Sequence, residues 1–187
     1  MSAPVPIDCT GGLREDALGR LHAGTAVEIT GRLLTLRDAS AMRLARTIED
    51  GQPLPVALEG QVLYCVGPSP AKPGQIVGSA GPTTTTRMAR FLPALFDAGV
   101  RAVIGKGELH GADAHAFVRR GAIYFAAIGG LGALLAKHIT AKTVLAYEEL
   151  GPEALYALDV DRFPAVVIID RAGANFHESA RAAWRRA

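Results

Sequence analysis

Short apolar strands alternate with helical segments along most of this chain, and this alternation restricts its fold more than any other feature. The apolar run at residues 62–66 and the segment at 101–105, which is apolar after Arg101, are typical of strands that are buried on both faces. Between such runs lie helix-periodic segments, such as the one that follows Asp38, its predicted N-cap, and stops at Gly51. Regular alternation of this kind predicts an α/β domain with a sheet that is at least partly parallel.

The same periodicity predicts the remaining elements. A helix with the apolar face Leu92, Leu95 and Phe96 is expected to be broken or kinked by Pro93 and to end at Gly99. With 187 residues, of which 49% are hydrophobic, the chain can bury a full core, so we predict one compact domain spanning residues 1–187. Further strands are predicted at 27–30 (extended through 36), 122–128, 143–147 and 165–170, and helices at 129–138 and 152–158.

Composition excludes several classes of function. A net charge of +2, without a long basic run, argues against a nucleic-acid partner. No apolar run approaches the roughly 20 residues needed to span a bilayer, and the first residues do not resemble a secretory signal. We therefore predict a soluble, cytoplasmic protein with no membrane contact.

Cysteine and histidine usage argues against a metal centre carried by this chain. Two cysteines, Cys9 and Cys65, are too few for a disulfide framework or for an iron–sulfur cluster, which usually takes three or four thiolates. Cys65 falls in an apolar strand, where a buried small hydrophobic residue is expected. No pair of histidines has the i, i+4 spacing of a helical metal site. We therefore predict no metal site.

Residues 81–88, with the sequence GPTTTTRM, form the most distinctive polar segment. The four threonines fall at a predicted helix N-terminus, where free N–H groups and the helix dipole favour an anion. Arg87 can hold a carboxylate through two parallel hydrogen bonds. The alternative is that Thr83 or Thr84 merely caps the helix while Arg87 pairs with an acidic side chain. Local sequence alone leaves both interpretations open.

Two more cations follow predicted strands. Arg37 ends the first strand and Lys106 follows the strand at 101–105, so both could meet Arg87 at one edge of the sheet. Glycines on either side of Lys106 would let a ligand approach closely. Three cations beside several hydroxyls would suit a small dicarboxylate, although each cation alone could be an ordinary surface charge. The glycines at 129–132 indicate close packing between a helix and the sheet and do not have the spacing of a dinucleotide fingerprint.

The chain resembles the β subunit, or the C-terminal domain, of the iron–sulfur (class I) fumarate hydratases and L(+)-tartrate dehydratases. Each matching stretch is short, but the stretches occur in the family's order between about residues 25 and 176. They are residues 30–39, 64–70, 78–84 with Arg87 and Met88, 105–107, 149–154 and 163–165.

This resemblance implies a swivelling β/β/α domain that works with a separate α subunit, in an α2β2 assembly. The α subunit would carry three cysteines that hold a 4Fe-4S cluster, and the enzyme would be a hydro-lyase acting on a four-carbon dicarboxylate. By position in the matching stretches, the substrate would be held by Arg37, Thr83, Thr84, Arg87 and Lys106. Thr83 would take the proton from carbon, with Lys106 as the second catalytic residue.

Two departures from the family pattern leave the substrate open. Thr85 and Thr86 replace a small residue and a glycine, and Ala41 stands where relatives often have histidine. Fumarate, tartrate and a methylated relative such as mesaconate are all compatible with the sequence, with fumarate favoured. A stand-alone anion-binding or regulatory module on the same fold is the alternative. Phosphate-ester chemistry is disfavoured because the chain has neither a carboxylate cluster nor a P-loop lysine.

Overall fold

A computed structural model of the chain describes residues 3–185. The ends of the predicted 1–187 domain, Met1, Ser2, Arg186 and Ala187, lie outside the described residues. The strands are β1 Val5–Cys9, β2 Ala26–Leu36, β3 Val62–Cys65, β4 Ala102–Gly105, β5 Ile123–Ala126, β6 Ile139–Ala146 and β7 Leu155–Ile169. The helices are α1 Glu15–Leu18, α2 Asp38–Glu49, α3 Leu92–Asp97, α4 Gly111–Arg120, α5 Gly132–Ala136 and α6 Phe176–Trp184. Three short 3₁₀ helices, Thr85–Arg87, Ala89–Phe91 and Glu148–Glu153, complete this set.

One mixed sheet contains all seven of these strands. Strands β2, β3, β4 and β5 are parallel neighbours, and β7 runs antiparallel to β5. Because β7 also pairs antiparallel with β2, five strands close into a ring, with β1 added beside β2 and β6 beside β7. The α/β character and the mixed sheet predicted from the sequence are confirmed.

Two hydrophobic cores lie on opposite faces of the parallel strands. Along β3, Val62 and Tyr64 face one core, whereas Leu63 and Cys65 face the other, as expected for a strand buried on both faces. The first core lies inside the ring, where the rings of Tyr64 and Phe163 meet edge to face with centroids 5.1 Å apart. The second lies beneath α2, α3 and α4. The described residues thus form one compact domain, and no helix among them is long and apolar enough to cross a membrane.

The predicted helix at 152–158 is wrong. Residues 148–153 form a 3₁₀ helix, and the chain enters β7 at Leu155. The backbone of β7 pairs with β6 on one side and with β2 on the other over this stretch. Partners so distant in the chain outweigh local helix propensity, and a single-segment pattern cannot reveal them. The sequence pattern does not predict β1, and the helix expected at 129–138 is limited to α5, Gly132–Ala136.

The threonine run does not open an α-helix, so that prediction is also wrong. Two 3₁₀ turns, Thr85–Arg87 and Ala89–Phe91, follow Thr84, and α3 begins only at Leu92. Pro93 lies in the first turn of α3, where its missing N–H would have no partner, so it starts the helix and does not break it. Asp38 is the first residue of α2, and the N-cap is Arg37.

Candidate functional site

The predicted site residues lie at the carboxyl ends of neighbouring parallel strands. Arg37 directly follows β2, and Lys106 directly follows β4. Between them, the N–H of Thr83 donates a hydrogen bond of 2.7 Å to the carbonyl of Cys65, the last residue of β3. The structure therefore brings the threonine segment and both strand-end cations to one edge of the sheet, the edge at which α/β domains usually bind ligands.

Main-chain hydrogen bonds hold the threonines directly against Lys106. The N–H of Lys106 donates to the carbonyl of Thr83 at 3.2 Å, and the N–H of Thr85 donates to the carbonyl of Lys106 at 3.0 Å. These bonds make a parallel bridge between Thr84 and Lys106. Thr83 and Thr84 are partly buried, whereas Lys106 is exposed. Because these hydrogen bonds join backbone atoms, they fix the Cα positions of Thr83 and Lys106, from which the hydroxyl and the ammonium group extend.

Thr85 is the internal anchor of this segment. Its side chain is fully buried, and its hydroxyl lies 3.2 Å from the hydroxyl of Tyr124, which donates to the carbonyl of Gly107 at 2.9 Å. Burial raises the pKa of Tyr124, so the phenol remains a neutral donor. The sequence groups the Thr85 hydroxyl with those of the other threonines at a possible anion site. That interpretation is wrong, because its hydroxyl is used inside the core, and only Thr86 is exposed.

Arg37 is held by an acid that lies far from it along the chain. Its Nη2 lies 3.1 Å from Oε1 of Glu153, whose Oε2 accepts a 2.9 Å hydrogen bond from the N–H of Ala39 in the first turn of α2. The guanidinium crosses Gly67, where a Cβ atom in place of the glycine hydrogen would come within 2.5 Å of Nη1. Gly67 is therefore needed for Arg37 to occupy this place.

Arg87 forms an ion pair with Asp38. Its Nε donates to Oδ1 at 3.1 Å, and its Nη2 lies 2.9 Å from Oδ2. The same Oδ2 lies 3.7 Å from Nε of Arg37, so one carboxylate contacts both guanidinium groups. Pairing of Arg87 with an acid is the alternative that the sequence leaves open. The sequence predicts neither Asp38 nor Glu153 as a site residue, although both fall in the stretches that carry the family resemblance.

Lys106 differs from the two arginines because no ion pair within residues 3–185 includes it. Its side chain extends over Gly129, where a Cβ atom would lie 3.4 Å from Cδ and 3.9 Å from Nζ. Nearby, Gly132 packs against Gly81 so closely that a Cβ on Gly132 would lie 2.8 Å from the Gly81 nitrogen. The predicted close packing at 129–132 is therefore present, but its partner is the loop before the threonines and not the sheet.

The two cysteines do not fit the requirements of an iron–sulfur cluster. Cys9 and Cys65 are buried in different cores, on opposite faces of the parallel strands. Burial raises the pKa of Cys9 to about 11 and that of Cys65 to about 12, which disfavours the thiolate that a cluster needs. Among residues 3–185, no group of three or more His, Cys, Asp and Glu side chains is arranged to hold a metal ion.

Comparison with known proteins identifies the family. The family model described as "Fumarase C-terminus" matches residues 3–180. Fumarate hydratase 2 of Leishmania major is 33% identical over 86% of this chain and 28% of its own length. The anaerobic class I fumarate hydratase of Escherichia coli K12 is 31% identical over 86% of the chain and 30% of its own length. A putative L(+)-tartrate dehydratase subunit beta of Methanocaldococcus jannaschii is 31% identical over 85% of both chains.

The share of the relative's length that this chain covers differs between the two kinds of relative. The chain spans less than a third of the fumarate hydratases, at 28% and 30% of their lengths, but most of the dehydratase subunit, at 85%. The family model covers nearly the whole chain. This protein therefore belongs to the Fumarase C-terminus family, whose relatives include class I fumarate hydratases and a tartrate dehydratase β subunit.

Proposed function

We propose that this chain supplies the carboxylate-binding half of a hydro-lyase that adds water to, or removes it from, a four-carbon dicarboxylate. Conversion of fumarate to malate is the first candidate and of tartrate to oxaloacetate the second. The observation that carries the proposal is the main-chain bridge between Thr84 and Lys106 at the carboxyl edge of the sheet. The family relationship supports the same reaction class, and the two-core layering agrees with a swivelling β/β/α domain.

In the proposed site, Lys106 is the first anchor for a substrate carboxylate, because it has no acidic partner among the described residues. Arg37 and Arg87 provide further donors, and the Thr84 hydroxyl orients the bound group. Charge-assisted hydrogen bonds of this kind are stronger than neutral ones and impose geometry on a carboxylate. A dicarboxylate with both ends fixed presents one particular carbon to Thr83.

Thr83 is proposed to take the proton from that carbon. A threonine hydroxyl is a poor base in water, so nearby positive charge must stabilise its alkoxide. Lys106 is the candidate source of that charge, because its backbone N–H is hydrogen-bonded to the carbonyl of Thr83. The electron pair of the broken C–H bond moves into the adjacent carboxylate, where Lys106 and Arg87 would stabilise the added charge. The proton for the departing hydroxyl would come from the partner subunit.

The remaining half of the site is proposed to come from an iron–sulfur α subunit, in an α2β2 complex in the cytoplasm. The 4Fe-4S cluster would be held by that subunit, since the thiols of this chain do not fit it. When bound there, the cluster would supply Lewis-acid chemistry for the substrate hydroxyl. The relative named as a subunit beta supports a partner of this kind.

A direct test is to compare this chain alone with the chain co-purified with its α partner after anaerobic reconstitution. We expect the isolated chain to be colourless and inactive, and the complex to turn over fumarate, malate, tartrate or mesaconate in a panel assay. Turnover of the panel by the isolated, iron-free chain would contradict the two-subunit proposal. A complex that forms and contains iron, yet acts on no member of the panel, would contradict the substrate class.

An apolar patch beside Lys106 is the proposed contact surface for the α subunit. The patch comprises Ile128, Leu131 and Leu134, which are 64%, 38% and 47% exposed, and it adjoins Gly129 beneath the Lys106 side chain. Exposed apolar side chains grouped in this way mark interaction sites more often than isolated ones do. A partner that docks here would close over the proposed site.

We expect the double substitution Leu131→Asp and Leu134→Asp to abolish co-purification of the α subunit while the chain still folds. Burying two carboxylates in an apolar interface costs several kcal/mol, about enough to weaken binding a hundredfold or more. Leu131 is the N-cap of α5, a position that favours Asp, so folding should be spared there. Val144→Asp, at an exposed position on β6, is the matched control. Normal assembly of the double variant would rule out this surface.

The alternative function is a stand-alone anion-binding or regulatory module without catalysis. One observation favours it: Arg37 and Arg87 are already paired with Glu153 and Asp38, as structural ion pairs would be. A module of this kind would bind small dicarboxylates as an isolated chain and would gain no activity from any partner. The reconstitution experiment separates the two functions.

A further inference from the structure

The two arginines of the proposed site are joined by one carboxylate. Asp38 accepts a hydrogen bond from Nε of Arg87 at 3.1 Å, and its second oxygen lies 2.9 Å from Nη2 of the same side chain. That second oxygen is also 3.7 Å from Nε of Arg37. Asp38 is the first residue of α2, directly after Arg37, so the short side chain has little freedom to leave this position.

This contact uses only one edge of the Arg87 guanidinium. Asp38 engages Nε and Nη2, and Nη1 takes no part in the pair. An acid on the Nε edge restrains the plane of a guanidinium, while the opposite nitrogen keeps its donors for another acceptor. Arg87 is 52% exposed, so without such a contact its long side chain would sample many rotamers.

The pair is also incompletely satisfied on the side of Arg37. Arg37 Nε is shielded from solvent and has no hydrogen-bond acceptor, since Asp38 Oδ2 is 3.7 Å away, whereas that oxygen keeps its 2.9 Å ionic contact with Arg87 Nη2. Buried polar atoms without partners are uncommon and point to a group that is missing or to an arrangement that changes when a ligand binds. Another nitrogen of the same guanidinium, Nη2 of Arg37, is already hydrogen-bonded to Glu153.

We propose that Asp38 is a positioning residue, which holds the guanidinium of Arg87, beside that of Arg37, in the orientation that receives a substrate carboxylate. This inference rests on the proposed function. It predicts an effect of Asp38 on dicarboxylate binding that is opposite to the effect of simple charge repulsion. If Asp38 were only an unfavourable anion beside an anion site, removing its charge would tighten dicarboxylate binding. If it orients Arg87, removing its charge weakens binding.

The test is Asp38→Asn, measured in two ways. In the reconstituted complex, we expect KM for the dicarboxylate to rise about tenfold and kcat to fall by a smaller factor, because Arg87 binds the carboxylate in the ground state and also stabilises the charge added to it in the transition state. In the isolated chain, we expect the NMR signal of the Arg87 Nε–H to lose its protection from solvent exchange. Asp97→Asn is the matched control, since Asp97 forms a similar two-contact pair with Arg120, at 2.7 and 2.8 Å.

The outcomes separate this inference from the function on which it rests. A complex that is active, with Asp38→Asn indistinguishable from Asp97→Asn, would overturn the positioning role alone. A lowered KM in Asp38→Asn would do so as well, because it would identify Asp38 as a competitor of the substrate. A wild-type complex without dicarboxylate turnover would remove the proposed function and this inference together. A raised KM together with loss of solvent-exchange protection at the Arg87 Nε–H supports the positioning role of Asp38.

Discussion

Replacing Thr83 with alanine should lower kcat of the reconstituted complex by about 10²–10⁴-fold, the usual contribution of a positioned general base. The change in KM should be much smaller, since the bound carboxylates are held mainly by cations. Thr83→Ser keeps a hydroxyl at the same Cβ and should retain measurable turnover. The measurement is steady-state hydration and dehydration of the preferred dicarboxylate, with iron content and complex assembly checked for each variant.

Thr86→Ala provides the control within the same run of residues. Thr86 is exposed in the 3₁₀ turn and has no role in the proposed chemistry, so its activity should stay close to that of the wild type. If Thr83→Ala and Thr83→Ser were equally impaired, the hydroxyl would not be the base. Equal effects of Thr83→Ala and Thr86→Ala would remove any special role for Thr83.

Gly105→Ala should be among the most destabilising single-methyl additions at the site. A Cβ atom at this end of β4 would lie 1.9 Å from the hydroxyl oxygen of Thr85, which is buried and bonded to Tyr124. Rotation of the Thr85 side chain away from the clash would move its hydroxyl away from Tyr124 and break this hydrogen bond. We expect the free energy of unfolding to fall by about 2–4 kcal/mol, measured by urea denaturation at 25 °C.

A second substitution tests whether the clash with the Thr85 hydroxyl oxygen causes the loss of stability. In the double variant Gly105→Ala with Thr85→Ala, the offending hydroxyl is absent, and much of the lost stability should return relative to Thr85→Ala alone. Gly19→Ala is a control, because the nearest atom to its Cβ is 3.8 Å away and its φ of −66° suits any residue. Equal destabilisation by Gly105→Ala in both backgrounds would contradict the proposed clash.

The strands that the sequence predicts best are those whose signal is entirely local. β3, β4 and β5 are continuous apolar runs bounded by glycine or proline, and each lies within a few residues of its predicted place. The prediction for the first part of β7 fails because its identity depends on pairing with β2 and β6, far away in the chain. Those partners are invisible to a pattern read over one segment.

In the candidate site, too, local sequence signals are predictive and contacts with distant residues are not. Arg37 and Lys106 are predicted at one edge because both directly follow parallel strands, and the structure places them there. Their catalytic and binding roles remain predictions. The acid that holds Arg37 could not be foreseen, since Glu153 is 116 residues away along the chain. The threonine run is misleading for a related reason: it forms a 3₁₀ turn without a side-chain cap, and its backbone is hydrogen-bonded to Cys65 at the end of β3 and to Lys106 after β4.

Closure of the strand ring has a consequence for how the chain folds. β7 is the last strand of the described residues, and it alone joins β5 back to β2, with contacts such as Arg32 to Asp159 spanning 127 residues. Contacts between such distant segments slow folding, because the loop entropy is lost before the pairing energy is gained. During synthesis from the N-terminus, β2 to β5 must wait with unpaired edges until β7 arrives. The guanidinium of Arg37 is held only once this late part of the chain has been made, because its acidic partner Glu153 lies just before β7.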